Sequence, residues 1–97
     1  MKKVCVLGAG LVAGPLVEYL LNLGEVEVRV ADLDEDRARQ LVGQHPRGQA
    51  FHLDLRDRKR LEGLLGEVEV VASMVPYTFH PYVAGLCLEL GKHLVTA

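Results

Sequence analysis

The sequence predicts a three-layer α/β/α domain, with a parallel five-stranded sheet in the order 3-2-1-4-5 between two layers of helices. Three observations carry that expectation. Short apolar runs alternate strictly with segments of helical periodicity along the whole chain. The loops between them are short, which favours parallel strands joined by right-handed helical crossovers. The first strand also runs into a glycine-rich turn that opens the first helix.

Val4 to Leu7 is a continuous apolar run ending at Gly8, as expected of a strand buried on both faces. From about Leu11 to Leu23, Val12, Leu16, Tyr19, Leu20 and Leu23 form a helical stripe, and Gly24 supplies the stop. Pro15 is tolerated near the first turn, where amide hydrogens have few intrahelical acceptors. Val26, Val28 and Val30 alternate with Glu27 and Arg29, so the second strand is expected to have one less buried face. Asp34 reads as the N-cap of a second helix, with Glu35 and Asp36 complementing its dipole. Ala38, Leu41 and Val42 form the inner face of that helix, and Gly43 ends it.

After a loop at His45–Gly48, a third strand is expected over 50–55. Asp57 caps a third helix with Leu61, Leu64 and Leu65 inward and Gly66 at its close. A fourth strand is expected over 68–75. Pro81 suits the first turn of a fourth helix that runs to Leu90, with Gly91 just past its end. His93 to Ala97 begins a fifth strand.

Composition narrows the function classes. Ninety-seven residues make one domain, and 49% apolar with 25% charged residues is an ordinary globular mixture. Eleven Lys and Arg against 13 Asp and Glu leave a net charge of −2, without the basic surface that nucleic acid demands. Five aromatic residues and no Trp argue against stacking platforms for single strands. Cys5 and Cys87 lie in apolar stretches and read as buried thiols in a reducing compartment, with neither a disulfide framework nor metal-ligand spacing. Lys2 and Lys3 before an apolar run resemble a secretory leader, but Gly8, Gly10, Gly14 and Pro15 interrupt the helix it would need. That run is also shorter than the roughly 20 residues of a bilayer span. The expectation is a cytoplasmic protein without nucleic-acid or membrane partners.

Gly8-Ala9-Gly10-Leu11-Val12-Ala13 is a G-x-G-x-x-A sequence between the first strand and the first helix. That placement points to a Rossmann-type dinucleotide-binding unit rather than a tight βα turn without a ligand. Gly8 permits the sharp turn, Gly10 leaves room for a pyrophosphate, and Ala13 lets the helix lie close to the sheet. The amides and dipole at the helix start then hold the phosphates. Asp32 ends the second strand, where a carboxylate accepts hydrogen bonds from the adenosine ribose hydroxyls. Asp54 ends the third, where it can either reach the adenine edge or stand as an exposed residue beside Arg56. The stretch from Ser73 to His80 leads into the crevice at the point where strand order reverses. There His80 can act as acid, base or substrate contact, or simply pack at the start of the next helix. His45, His52 and His93 have no companions at metal spacing, and no metal is expected.

Residues 6–20, Asp54, and above all Val-Pro-Tyr-Thr-Phe-His-Pro at 75–81 resemble the N-terminal domain of the L-glutamate-forming saccharopine dehydrogenase family. The resemblance covers essentially the whole chain. It implies cofactor contacts at Ala9, Gly10, Leu11 and Val12, at Asp32 and Leu33, at Asp54 and Leu55, at Val75 and Pro76, and at Thr96. Tyr77 and His80 become candidates for the substrate side, and no residue is singled out as catalytic. The implied chemistry is hydride exchange with the CH–NH bond of an amino-acid-derived secondary amine, within lysine metabolism. Lysine dehydrogenase and carboxynorspermidine dehydrogenase share this type of chemistry.

Two departures from the family pattern matter. Members that use the phosphorylated cofactor tend to carry a small residue and then Arg where this chain has Asp32-Leu33. A carboxylate would repel a 2′-phosphate. Arg37 or Arg39 could offset this only by reaching back across the first turn of the helix, where Asp34, Glu35 and Asp36 compete for them. NAD is therefore expected in preference to NADP. The chain also stops at Thr96-Ala97, where the family continues into a substrate domain. Residues 1–97 are therefore expected to be the N-terminal part of a larger enzyme, binding a dinucleotide and, in the full enzyme, a small amino-acid-derived substrate. The alternative is a nucleotide-binding sensor or regulatory module without catalysis, and homodimer formation stays open.

Overall fold

The computed structural model describes residues 1–10 and 12–96, the Tyr77 side chain excepted. The chain order is β1 (Lys2–Leu7), α1 (Ala13–Asn22), β2 (Val26–Asp32), α2 (Glu35–Val42), β3 (Gly48–His52) and α3 (Arg58–Gly66). There follow β4 (Val70–Ser73), a 3-10 turn (Tyr77–Phe79), α4 (His80–Leu90) and β5 (His93–Thr96). The strands pair in parallel as β3-β2-β1-β4-β5, the order expected from the sequence. Leu7 is in register with Ala31 on one side and Ser73 on the other, and Ser73 with Thr96. Four strands therefore end level, along one rim of the sheet.

Alternation along β1 builds two cores. Val4 and Val6 face α1 and α2, against Ala13, Val17, Leu21, Ala38 and Val42. Cys5 and Leu7 face α3 and α4, against Leu61, Leu65, Val83, Leu86 and Cys87. A sheet covered on both faces needs apolar side chains at successive positions, which is why β1 reads as an unbroken run. Helix starts follow local chemistry. The Asp34 carboxylate accepts from the amides of Asp36 and Arg37, and that of Asp57 from Arg60, each cap contributing about 1 kcal/mol. Gly91 takes the left-handed conformation at φ 70° that terminates α4.

Three expectations need correction. The inward face of α1 is Ala13, Val17 and Leu21, whereas Val12, Tyr19 and Leu23 are exposed and Leu16 and Leu20 only flank the core. The face on the sheet recurs every fourth residue from Ala13, one position on from the Val12, Leu16 and Leu20 of the predicted stripe. β3 begins at Gly48 because its pairing starts at Val28↔Gly48, and it ends at His52 short of Asp54. β4 is confined to Val70–Ser73, the stretch with partners in β1 and β5.

Candidate functional site

Strand order reverses between β1 and β4, so the connections leaving these two strands diverge to opposite faces and leave a crevice at the rim. A cleft of about 260 Å³ occupies it. Its walls are Gly8-Ala9-Gly10, the end of β2 (Ala31, Asp32, Leu33), Arg37 of α2, Leu55, and Met74-Val75-Pro76 after β4. A larger depression of about 680 Å³ lies at the opposite rim, between Met1, Lys2, Leu23, Glu25 and Val26. It lies away from the switch point where α/β sheets bind ligands.

The three small residues of the turn do different jobs. Gly8 donates its amide to the Ala31 carbonyl at 2.8 Å, with φ at 98°. A Cβ there would stand 2.9 Å from the Met74 carbonyl oxygen, so this glycine lets β1, β2 and the segment after β4 converge. At Gly10 a Cβ would meet nothing within 4 Å, so the space above it belongs to the cleft. Ala13, the first residue of α1, is fully buried. Val12 precedes α1 without a side-chain cap, as Phe79 precedes α4, whereas α2 and α3 have their aspartates. The Ala13 amide turns back to the Gly10 carbonyl at 3.0 Å, and the positive end of the helix dipole faces the glycine loop.

Asp32 ties the site together. Its Oδ2 accepts from the Ala9 amide at 2.6 Å and its Oδ1 from the Asp34 amide at 2.8 Å. A carboxylate oxygen accepts two hydrogen bonds, so each keeps capacity for a further donor.

The remaining expected residues divide. Leu33, Leu55, Val75 and Pro76 line the cleft. Asp54 does not: Arg56 grips its carboxylate through Nε at 3.1 Å and Nη2 at 2.8 Å, and adds its amide at 2.9 Å. These bonds pull the Asp54 carboxyl down to about 2. Val12 is exposed outside the lining, and Thr96 is exposed at the end of β5. Leu11 and the Tyr77 side chain lie outside the described residues.

His80 opens α4, and its Nε2 lies 3.0 Å from the Val75 carbonyl oxygen. A carbonyl only accepts, so Nε2 carries the proton and the ring pins the cleft-lining segment to α4. Met74, within the expected 73–80 stretch, lines the cleft, and so does Arg37, which the sequence offered only beside Arg39 as a cation that would have to reach back. The usable signal was that Arg37 sits in the first turn of the helix that follows Asp32.

The comparisons with known proteins agree with a pyridine-nucleotide site, and NADP recurs in the names they carry. The family model described as "Saccharopine dehydrogenase NADP binding domain" matches residues 4–97. The chain is 33% identical over 96 residues to saccharopine dehydrogenase [NADP(+), L-glutamate-forming] of Schizosaccharomyces pombe, covering 99% of this chain and 21% of that protein. It is 32% identical to mitochondrial alpha-aminoadipic semialdehyde synthase of Mus musculus, covering 99% of this chain and 10% of that one. Apo saccharopine dehydrogenase (L-Glu forming) from Saccharomyces cerevisiae superposes with a TM-score of 0.92 at 33% identity, over 99% of this chain and 21% of the other. The chain thus spans about a fifth or less of these relatives. It is a pyridine-nucleotide-binding domain, and it belongs to the saccharopine dehydrogenase family.

Proposed function

We propose that the chain is the cofactor-holding part of an oxidoreductase acting on the CH–NH bond of an amino-acid-derived secondary amine, with NAD favoured over NADP. The names of its relatives support the reaction class. The observation that carries the cofactor preference is the Asp32 carboxylate, held in the cleft by the Ala9 and Asp34 amides.

The residues present fit a dinucleotide. The uncapped start of α1 and the open space over Gly10 suit a pyrophosphate, and Leu33 and Leu55 supply apolar walls for the adenosine. When bound, the cofactor supplies hydride chemistry, and the protein supplies position and electrostatics. Asp32 accepts from free ribose hydroxyls in charge-assisted bonds, whereas a 2′-phosphate of roughly −1.5 to −2 charge would face it at close range. Leu33 offers no cation. Pro76 and the His80–Val75 bond hold the far wall in place, on the side toward a substrate. Buried Cys5 and Cys87 suit a reducing compartment, and a cytoplasmic setting belongs to the same reading.

Parallel titrations of NAD⁺ and NADP⁺ at low salt test the preference. Tighter binding of NAD⁺, reversed by the double change Asp32→Ser with Leu33→Arg, is expected. Tighter NADP⁺ binding by the unaltered chain would refute it.

A further inference from the structure

Asp32 is not the only charge in the cleft. Arg37, one turn into α2, shares its wall with Asp32 and Leu33. The same arginine borders an adjoining depression with Ala9, Gly10, Gly14 and Gln40. It therefore stands at the rim between the glycine loop and the end of β2. Other arginines are differently placed. Arg39 is held by Glu35 and Asp36, Arg56 by Asp54, and Arg58 by Glu62 and Glu89. Arg37 enters no ion pair among the described residues, although three acidic residues precede it in sequence. Asp34 uses its carboxylate on the Asp36 and Arg37 amides, while Glu35 and Asp36 are turned to Arg39. The acidic residues that would compete for Arg37 are thus already engaged, and its guanidinium is left at the cleft.

From this placement we infer that Arg37 is the residue that meets a 2′-phosphate, and that its opposition to Asp32 sets how far NAD is favoured over NADP. The inference rests on the dinucleotide reading above. A guanidinium binds a phosphate dianion through paired charge-assisted hydrogen bonds. It has no comparable partner on a ribose with a free 2′-hydroxyl, whose hydroxyls face Asp32. Arg37 therefore stabilises the phosphorylated cofactor selectively. Asp32 opposes it, and the cleft accepts both cofactors with a bounded preference instead of rejecting NADP outright.

The test is calorimetric titration of the 97-residue chain and its Arg37→Ala and Arg37→Gln variants with NAD⁺ and NADP⁺, repeated with 5′-AMP and adenosine 2′,5′-bisphosphate. Arg37 is exposed, and thermal unfolding checks that both variants fold. Loss of the guanidinium is expected to weaken NADP⁺ and the bisphosphate by about 10-fold, and NAD⁺ and 5′-AMP by less than about 2-fold. Raising the salt should shrink the variants' effect. Equal weakening of all four ligands would place Arg37 on the pyrophosphate and overturn the assignment, as would no change in any. Failure of the unaltered chain to bind NAD⁺ or NADP⁺ would instead remove the dinucleotide reading, a result distinct from any difference between variants.

Discussion

The amide of Ala9 and the carboxylate of Asp32 meet at 2.6 Å, joining the glycine loop to the end of β2. The second oxygen of the same carboxylate takes the Asp34 amide, at the start of α2. One side chain therefore orients the loop, the strand end and the next helix before any ligand arrives. Charge-assisted hydrogen bonds of this kind contribute about 1.5–3 kcal/mol each when well shielded, and less at a partly exposed site. Asp32→Ala is expected to lower stability by about 1–3 kcal/mol in denaturant unfolding and to weaken NAD⁺ in titration. Unchanged stability would mean that the loop holds its shape without the carboxylate.

The two glycines of the loop should separate in mutagenesis. Gly8→Ala places a Cβ against the Met74 carbonyl at a positive φ, and a loss of at least about 2 kcal/mol is expected. Gly10→Ala meets no neighbour and should cost under about 1 kcal/mol. Thermal or denaturant unfolding of the two variants checks the contrast. Equal losses would show that Gly10 also serves the backbone.

How much of this was legible in the sequence depends on whether a residue's role is local. Asp34 and Asp57 cap helices through their own following amides, so spacing alone revealed them. The strand order followed from strict alternation, and the glycine turn from its place between strand and helix. The inward face of α1 lies one position on from the predicted stripe, because Leu16, Tyr19 and Leu20 outweigh Ala13 in a hydrophobic pattern although Ala13, Val17 and Leu21 meet the sheet. Asp54 stayed open between the adenine edge and an exposed place beside Arg56, because only the folded geometry shows that β3 ends earlier and that Arg56, two residues on, takes the carboxylate. Arg37 could not be placed because its freedom depends on which arginine Glu35 and Asp36 choose. Such competition is settled only by side-chain geometry.

The pair at Asp54 gives its own prediction. With its carboxylate turned to Arg56 and away from the cleft, Asp54→Asn should change cofactor affinity by less than about 2-fold. Leu55→Asp, which puts a charge into the lining, should weaken binding by at least about 10-fold. The Asp54 carboxyl is lowered to about 2 from an ordinary 3.8. Any stability it adds is therefore present above 3.8 and is lost as pH falls through about 2. Solvent exposure keeps that contribution small. Acid titration followed by NMR of the carboxyl is the check, and a midpoint near 4 would contradict the pairing.

The two thiols should be inert in the folded chain. Cys5 is fully buried, and burial pushes its thiol up to about 12 from 9.0; Cys87 is raised for the same reason. Only the unfolded chain loses these protons near pH 9, so stability should be full below that pH and decline as pH rises toward 12. A thiol-specific disulfide reagent should react with neither cysteine at pH 8 without denaturant. Rapid labelling of the native chain would show that the core around α4 opens readily.

The measurement that bears most directly on the account is titration of NAD⁺ into the chain and its Gly10→Val variant, with circular dichroism on both. A valine side chain would occupy the open space above the loop, where the pyrophosphate is assigned. The account predicts binding by the unaltered chain at millimolar ligand or below, and loss of binding in the variant with its helical signal intact. Equal affinity in the two, or no binding by the unaltered chain at millimolar ligand, would contradict it.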